Sequence, residues 1–312
     1  MIAPFPFFGG KRTVAALIWG RLGTPKQYIE PFCGSAAVLL AAPAVASLEV
    51  VNDINGFLAN FWRCVKHQPD ETARWADYPV SHIDLGARHV WLMGQRDHLG
   101  AELQDPDWPG DAKVAGWWLW GQCCWIGSGW CDWWGKVPHA SDAGMGVQAL
   151  GQVPHASDAG MGVQALGQVP HAGNAGMDTS SGRVALRWLR QLADRLERVR
   201  VVHGKWDRGL NNHYGGSNTA VFLDPPYKAF EAVYGADPVA AAVEEWAREH
   251  ADLRVALCGH VGDYDLPGWD CVRWSRGRLT YSGKKTTDLE AIWFSAACEQ
   301  ASGQTGLFDP EE

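Results

Sequence analysis

In its last third the chain reads Ala220-Val221-Phe222-Leu223 and then, without a break, Asp224-Pro225-Pro226-Tyr227. A run that is apolar at every position suits a strand buried on both faces of a parallel sheet. The two prolines end it, because neither has an N–H with which to continue a ladder. The result is a rigid turn at a strand's carboxyl edge, where open α/β sheets bind ligands. Taken alone the junction also suits a proline-rich turn with a surface Asp, and the rest of the chain decides between the two.

The rest of the chain supplies the other parts of such a fold. Residues 13–19 have helical character, Gln27–Glu30 reads as a short strand, 31–35 as a turn and 36–42 as a helix. Leu48–Asn52 is a second strand ending at Asp53, and 55–65 is helical, with apolar residues at 57, 58, 61, 62 and 65. Strand, helix, strand, helix in this order indicates a βαβ unit. The pattern resumes at 183–198, an amphipathic helix with Leu189, Leu192, Leu196 and Val199 on one face. Strands are then expected at 200–203, 220–223, 254–258 and 291–295, with a helix over about 237–250.

Between 86 and 182 the character changes. Residues 117–134 hold seven tryptophans with Gly and Cys interleaved. A repeat of period 16 follows: GKVPHASDAGMGVQAL at 135–150, GQVPHASDAGMGVQAL at 151–166 and GQVPHAGNAGMD at 167–178. No unit can bury a core alone, so the repeats are expected to stack in register, or else to form a duplicated surface loop. His139, His155 and His171 recur because the unit recurs, and are not read as a metal site. The expected organisation is a discontinuous domain, 1–85 with 183–300, interrupted by an insertion over 86–182, with a flexible tail at 301–312.

Composition narrows the functional classes. Apolar residues make up 46% and charged ones 20%, which is globular. No window approaches a membrane span, and Met1–Pro6 lacks the basic and apolar stretches of a secretory signal. The eight cysteines are scattered through apolar runs and suit buried thiols of a reduced, cytoplasmic protein. Cys123, Cys124 and Cys131 lack the paired spacing of a zinc site. A net charge of −8 argues against coating nucleic acid without specificity. Yet 183–208 holds eight basic residues against three acidic, and Arg273, Arg276, Arg278, Lys284 and Lys285 form a second cluster. A solvated helix face accounts for the first cluster alone; a phosphate-binding strip accounts for both.

The chemistry follows from which groups stand at strand ends. Asp224, the Pro225 carbonyl and the Tyr227 ring suit a planar base with an exocyclic amine: two acceptors for two N–H groups and a ring to stack. Glu30-Pro31-Phe32-Cys33-Gly34-Ser35 ends the first strand, with Gly34 permitting close backbone approach and a helix N-terminus following. Asp53 ends the next strand, where an acid can accept from a ribose diol. Carboxylates at Glu30, Asp53 and Asp224 reject a pyrophosphate and suit a positively charged nucleoside, S-adenosyl-L-methionine. Neither GxGxxG nor a correctly spaced P-loop occurs.

Pro6-Phe7-Phe8-Gly9-Gly10-Lys11, Tyr28 to Ser35, Val51-Asn52-Asp53-Ile54-Asn55 and Asp224 to Tyr227, in that order, resemble the Dam-type (D12 class) DNA adenine-N6 methyltransferases. The likeness extends over roughly 200 residues, and the tryptophan-rich segment with its repeats resembles phage- and prophage-borne members. The resemblance implies a Rossmann-like α/β methyltransferase sheet with an inserted target-recognition region. It implies that Phe8, Gly9, Gly10, Lys11, Glu30, Pro31, Phe32, Gly34, Ser35, Asp53, Ile54 and Asp224 bind S-adenosyl-L-methionine. Asp224, Pro225, Pro226 and Tyr227 would act on the amine of a base rotated out of double-stranded DNA. Arg183, Arg187, Arg190, Arg276, Arg278, Lys284 and Lys285 would contact nucleic acid; no metal and no membrane are implied. Ala36 stands where many relatives have glycine, and Gly204-Lys205-Trp206-Asp207 replaces a Gly-Asp-Trp-like stretch. Residue identities alone leave open cytosine N4, adenine in RNA, or a catalytically silent DNA-binding relative.

Overall fold

The computed structural model describes residues 1, 3–5, 10–78, 81–124, 130–131, 179–210, 216–227, 239–274 and 290–300, with the backbone alone at 82 and over 179–185. Its strands are β1 Gln27–Glu30, β2 Leu48–Asp53, β3 Val199–His203, β4 Thr219–Leu223, β5 Arg254–His260, β6 Asp270–Trp274 and β7 Glu290–Phe294. They form one mixed sheet in the order β3-β2-β1-β4-β5-β7-β6. β2, β1, β4 and β5 run parallel, with Gln27 opposite both Leu48 and Thr219, and Ala220 opposite Arg254. β7 runs antiparallel to both β5 and β6. With its helices this is a Rossmann-like α/β fold, as the resemblance implies, and the apolar run before Asp224 is one of its buried parallel strands.

The central strands are buried along their whole length. Polar ends on these strands therefore need partners inside the protein. Thr219 Oγ1 lies 3.3 Å from Gln27 Oε1, and the Tyr28 hydroxyl donates to Glu30 Oε2 at 2.9 Å. Helix α1 (Ala15–Leu22) packs on β5 and buries Ile18, Trp19 and Leu22. At the far edge, Arg21 donates to Asp270 at 2.6 Å and lies over the Phe294 ring.

By compactness the chain divides into two units. One comprises Met1–Gly10, Gly34–Leu40 and Asn52–Lys205; the other comprises Lys11–Cys33, Ala41–Val51 and Trp206–Glu312. The first unit is built on helices α2 Ala37–Leu40, α3 Gly56–His67, α4 Pro69–Ala76, α5 His82–Met93, α6 Arg96–Glu102, α7 Ala112–Cys124 and α8 Thr179–Leu196. α9 (Val239–Glu249) belongs to the second. α7 packs on α3, α4 and α5, and α8 on α3 and α4. The core of the first unit is aromatic: Phe5 meets the edges of Phe61 at 5.4 Å and Trp118 at 5.0 Å.

The structure corrects several sequence expectations. α2 begins at Ala37, not 36, because Ala36 takes a left-handed φ of 51° and cannot open a right-handed helix. Helices α4 to α7, between 69 and 124, were not anticipated, and neither was β6, whose residues are mostly exposed. Within the tryptophan-rich stretch, Trp118 and Trp120 are core residues, 1% and 0% exposed. As the sequence leads one to expect, none of the eight cysteines forms a disulfide, and seven of them are buried. The 16-residue repeats, the tail at 301–312 and residues 275–289 lie outside the described residues.

Candidate functional site

In the second unit, β1 and β4 are parallel neighbours, so Glu30 and Asp224 leave the sheet at the same edge. β4 ends where Pro225 and Pro226 remove two donors in succession. Asp224 is partly exposed and Pro225 is buried; Pro226 and Tyr227 are half-buried. Lys11, 3% exposed, places its ammonium 2.8 Å from each oxygen of the Asp224 carboxylate. The same Nζ lies 3.8 Å from Glu290 Oε2, on the first residue of β7. Glu290 in turn accepts from the Tyr227 hydroxyl at 3.1 Å. Lys11 Nζ is also 5.2 Å from the centre of the Tyr227 ring, whose edge meets His260 at 4.6 Å.

One buried ammonium thus serves two carboxylates. Burial alone would pull the Lys11 ammonium down, but the charges of Asp224, Cys258 and Glu290 outweigh it and hold its pKa above the usual lysine value. Burial, with Asp224, Cys258 and Glu290 close by, drives the Tyr227 phenol far up, so it stays protonated and remains a donor. Glu30 is enclosed at 1% exposed, its carboxylate held by Tyr28. Phe32 lies parallel to Trp206, with ring centres 6.2 Å apart and 14° between planes.

In the first unit, Gly34 has a φ of 46° and is fixed at both polar groups: its N–H donates to Asp53 Oδ2 at 2.9 Å, and its carbonyl accepts from Trp62 Nε1 at 3.0 Å. Asp53 Oδ1 accepts from the Asn55 N–H at 2.9 Å. Asn55 caps α3 by accepting from the N–H groups of Phe57 and Leu58. Burial pushes the Asp53 carboxyl up to about 6, against the opposing pull of the N–H groups of Asn55, Gly34 and Ile54. Asn52 Nδ2 donates to the Gly204 and Lys205 carbonyls, and the His203 ring meets the Ile54 carbonyl at 3.1 Å. Those contacts fix the backbone of Ile54, whose aliphatic side chain is 63% exposed.

Residues 7–78 match the family model of the D12 class N6 adenine-specific DNA methyltransferases. No curated protein matches the chain. The matched segment takes in Lys11, Glu30, Gly34 and Asp53; Asp224 to Tyr227 lie beyond it.

Of the site residues expected from sequence, Lys11, Asp224 and Tyr227 are brought into one contact network in the second unit, and Gly34, Asp53 and Ile54 lie together in the first. Ser35 is buried beside them in sequence, and Pro31 and Phe32 follow Glu30 out of β1. Phe8 and Gly9 fall outside the described residues, while Gly10 lies within them. Of the expected nucleic-acid contacts, Arg187 is exposed on α8. Arg190 makes two hydrogen bonds of 2.7 Å to Asp70, linking α8 to α4. The side chains of Arg183, Arg276, Arg278, Lys284 and Lys285 lie outside the described residues. Sequence reasoning missed Glu290 and Trp62. Glu290 precedes an apolar strand as an ordinary surface acid would, and only the antiparallel turn of β7 brings it to this edge. Trp62 reads as a core residue of α3, and its role lies in one indole N–H.

Proposed function

We propose that the protein transfers a methyl group from S-adenosyl-L-methionine to N6 of adenine in double-stranded DNA, acting on a base rotated out of the helix. The family match over 7–78 supports DNA adenine methylation. The observation that carries the finer reading is the Lys11–Asp224 pair. Asp224 already accepts from a nitrogen bearing hydrogens at 2.8 Å, as it would have to accept one hydrogen of a base amine.

The residues fit the donor. Both oxygens of Asp53 are engaged by backbone N–H groups, yet an ionised carboxylate has about four lone-pair sites and so keeps capacity for a ribose hydroxyl. The exposed side chain of Ile54 offers an apolar cover for a base face. Glu30, enclosed, contributes negative charge towards a cationic ligand. When bound, S-adenosyl-L-methionine supplies a methyl group on a sulfonium.

The target nitrogen is a poor nucleophile because its lone pair is delocalised into the ring. Asp224 and the Pro225 carbonyl would accept its two hydrogens, drawing it towards sp³ geometry and freeing that lone pair. Tyr227 would stack on the rotated base and offset part of the few kcal/mol of unstacking. Alignment of donor and acceptor supplies much of the rate. Residues 86–182 would serve target recognition, and the sheet domain catalysis.

The test is methyl transfer from radiolabelled S-adenosyl-L-methionine to duplex DNA, followed by digestion to nucleosides. Label in N6-methyladenine is expected, and Asp224→Ala should abolish it while donor binding stays measurable by calorimetry. Label on cytosine, transfer confined to RNA, or near-normal transfer by Asp224→Ala would each overturn the reading.

A further inference from the structure

Asp224 cannot serve a base amine at full strength while Lys11 holds it. The ammonium sits 2.8 Å from both carboxylate oxygens, neutralising the charge that would polarise the amine. Lys11 is almost wholly enclosed, so release into water is not open to it, and an unpaired buried ammonium is costly. It needs a second anion within reach. Glu290 is that anion: its Oε2 is 3.8 Å from Lys11 Nζ, beyond a good hydrogen bond but within a small side-chain shift of one. Glu290 is itself anchored by the Tyr227 hydroxyl at 3.1 Å and by its place opposite His260 in the β5–β7 ladder.

We propose that Glu290 is a positioning residue, which receives the Lys11 ammonium when a target amine takes Asp224 and meanwhile holds the Tyr227 ring by its hydroxyl. This rests on the methyltransferase reading above. The lysine then acts as an occupant of the amine's acceptor and neutralises a pair of partly buried carboxylates. With Glu290 neutral, the ammonium loses the acceptor to which it would move and stays on Asp224. The charge of Glu290 acts through Lys11 and its oxygen also accepts from Tyr227, a bond that Glu290→Gln can keep; none of its effect is exerted directly on the donor.

The test is a double-mutant cycle on methyl transfer in the full chain: wild type, Glu290→Gln, Lys11→Met and the pair. Glu290→Gln is expected to lower kcat about tenfold or more in the wild-type background, and less than about twofold in the Lys11→Met background, where no ammonium needs a home. The dissociation constant for S-adenosyl-L-methionine should stay within about twofold, since Glu290 is not assigned to the donor. Glu290→Asp, which keeps the charge, should recover part of the loss and serves in place of the glutamine variant if that one fails to fold. Equal losses in both backgrounds, or full activity of Glu290→Gln, would overturn the inference while leaving the methyltransferase reading intact. A wild type that transfers no methyl group to any nucleic acid would overturn both.

Discussion

Asp53 carries two jobs that pull against each other. As a buried acid it resists ionisation, and its carboxyl is pushed up to about 6 from an ordinary 3.8. As an acceptor for hydroxyl donors it must be ionised. The folded protein therefore holds the Asp53 proton more tightly than the unfolded chain does. This contribution favours folding at acid pH and is lost as pH rises from about 4 through about 6, a swing of about 3 kcal/mol. On the proposed reading donor binding would have the opposite sign, because a ribose diol would bond to the anion. Affinity for S-adenosyl-L-methionine should therefore fall as pH drops through about 6, with proton release on binding near that pH. Calorimetry in buffers of different ionisation enthalpy measures both, and a flat profile from pH 5 to 8 would remove Asp53 from the donor site. At Tyr227 two contributions separate in the same way. Tyr227→Phe keeps the ring and loses one hydrogen bond to Glu290, worth about 1 kcal/mol, or roughly fivefold in turnover. Tyr227→Ala also loses stacking worth about 1–3 kcal/mol per base, so its turnover should be lower by a further tenfold or so. Equal losses in single-turnover rates would show that the ring does not stack.

At the scale of elements, the glycines among the tryptophans of α7 set how closely helices approach. A Cβ added at Gly116 would fall 2.7 Å from the Thr72 carbonyl oxygen and nearer still to Trp75, both on α4. Gly116→Ala should therefore destabilise the protein by about 1–3 kcal/mol in urea denaturation, through overpacking. Gly100→Ala on α6, where a Cβ meets nothing within 4 Å, should stabilise by about 0.5–1 kcal/mol. If both changes act alike, α4 and α7 are not packed as described. This contrast also explains how far the sequence could be read. β4 and α8 are legible because one physical signal dominates each: the unbroken apolar run 220–223 for the buried strand, and Leu189, Leu192 and Leu196 at helical spacing for α8. β1 and β2, which bury Gln27, Glu30, Glu49 and Asn52, are legible from their alternation with helices. α7 shows no such face. Its tryptophans point to all sides, and the glycines between them are packing devices that look like breakers in sequence. β6 escapes notice for the opposite reason, since an edge strand with exposed Cys271 and Arg273 has no apolar run to show. At the candidate site, Asp224 and Asp53 were legible as acids at the ends of strands. Glu290 was not, because its place depends on pairing with strands distant in sequence.

For the molecule as a whole, charge decides how DNA would be met. A body of net charge −8 and pI near 5.8 is repelled by a polyanion at long range, so binding must rest on few, local cations. The seven basic side chains proposed for phosphate contact would, if all engaged, give a slope of log affinity against log salt of about −6. Two of them differ in what engagement requires. Arg187 is exposed on α8, whereas Arg190 is already bound to Asp70 through two hydrogen bonds and would have to exchange a carboxylate for a phosphate. Arg187→Ala should therefore weaken binding uniformly across DNA sequences and reduce the slope by about one. Arg190→Ala should change the slope less, and should also remove the tie between α8 and α4, a weak one because the pair is solvent-exposed. Fluorescence anisotropy of labelled duplexes from 50 to 300 mM salt, a range of about sixfold, separates the two variants. A slope unchanged by Arg187→Ala, or one changed more by Arg190→Ala, would place the phosphate strip away from α8, leaving the C-terminal basic cluster to carry the contact.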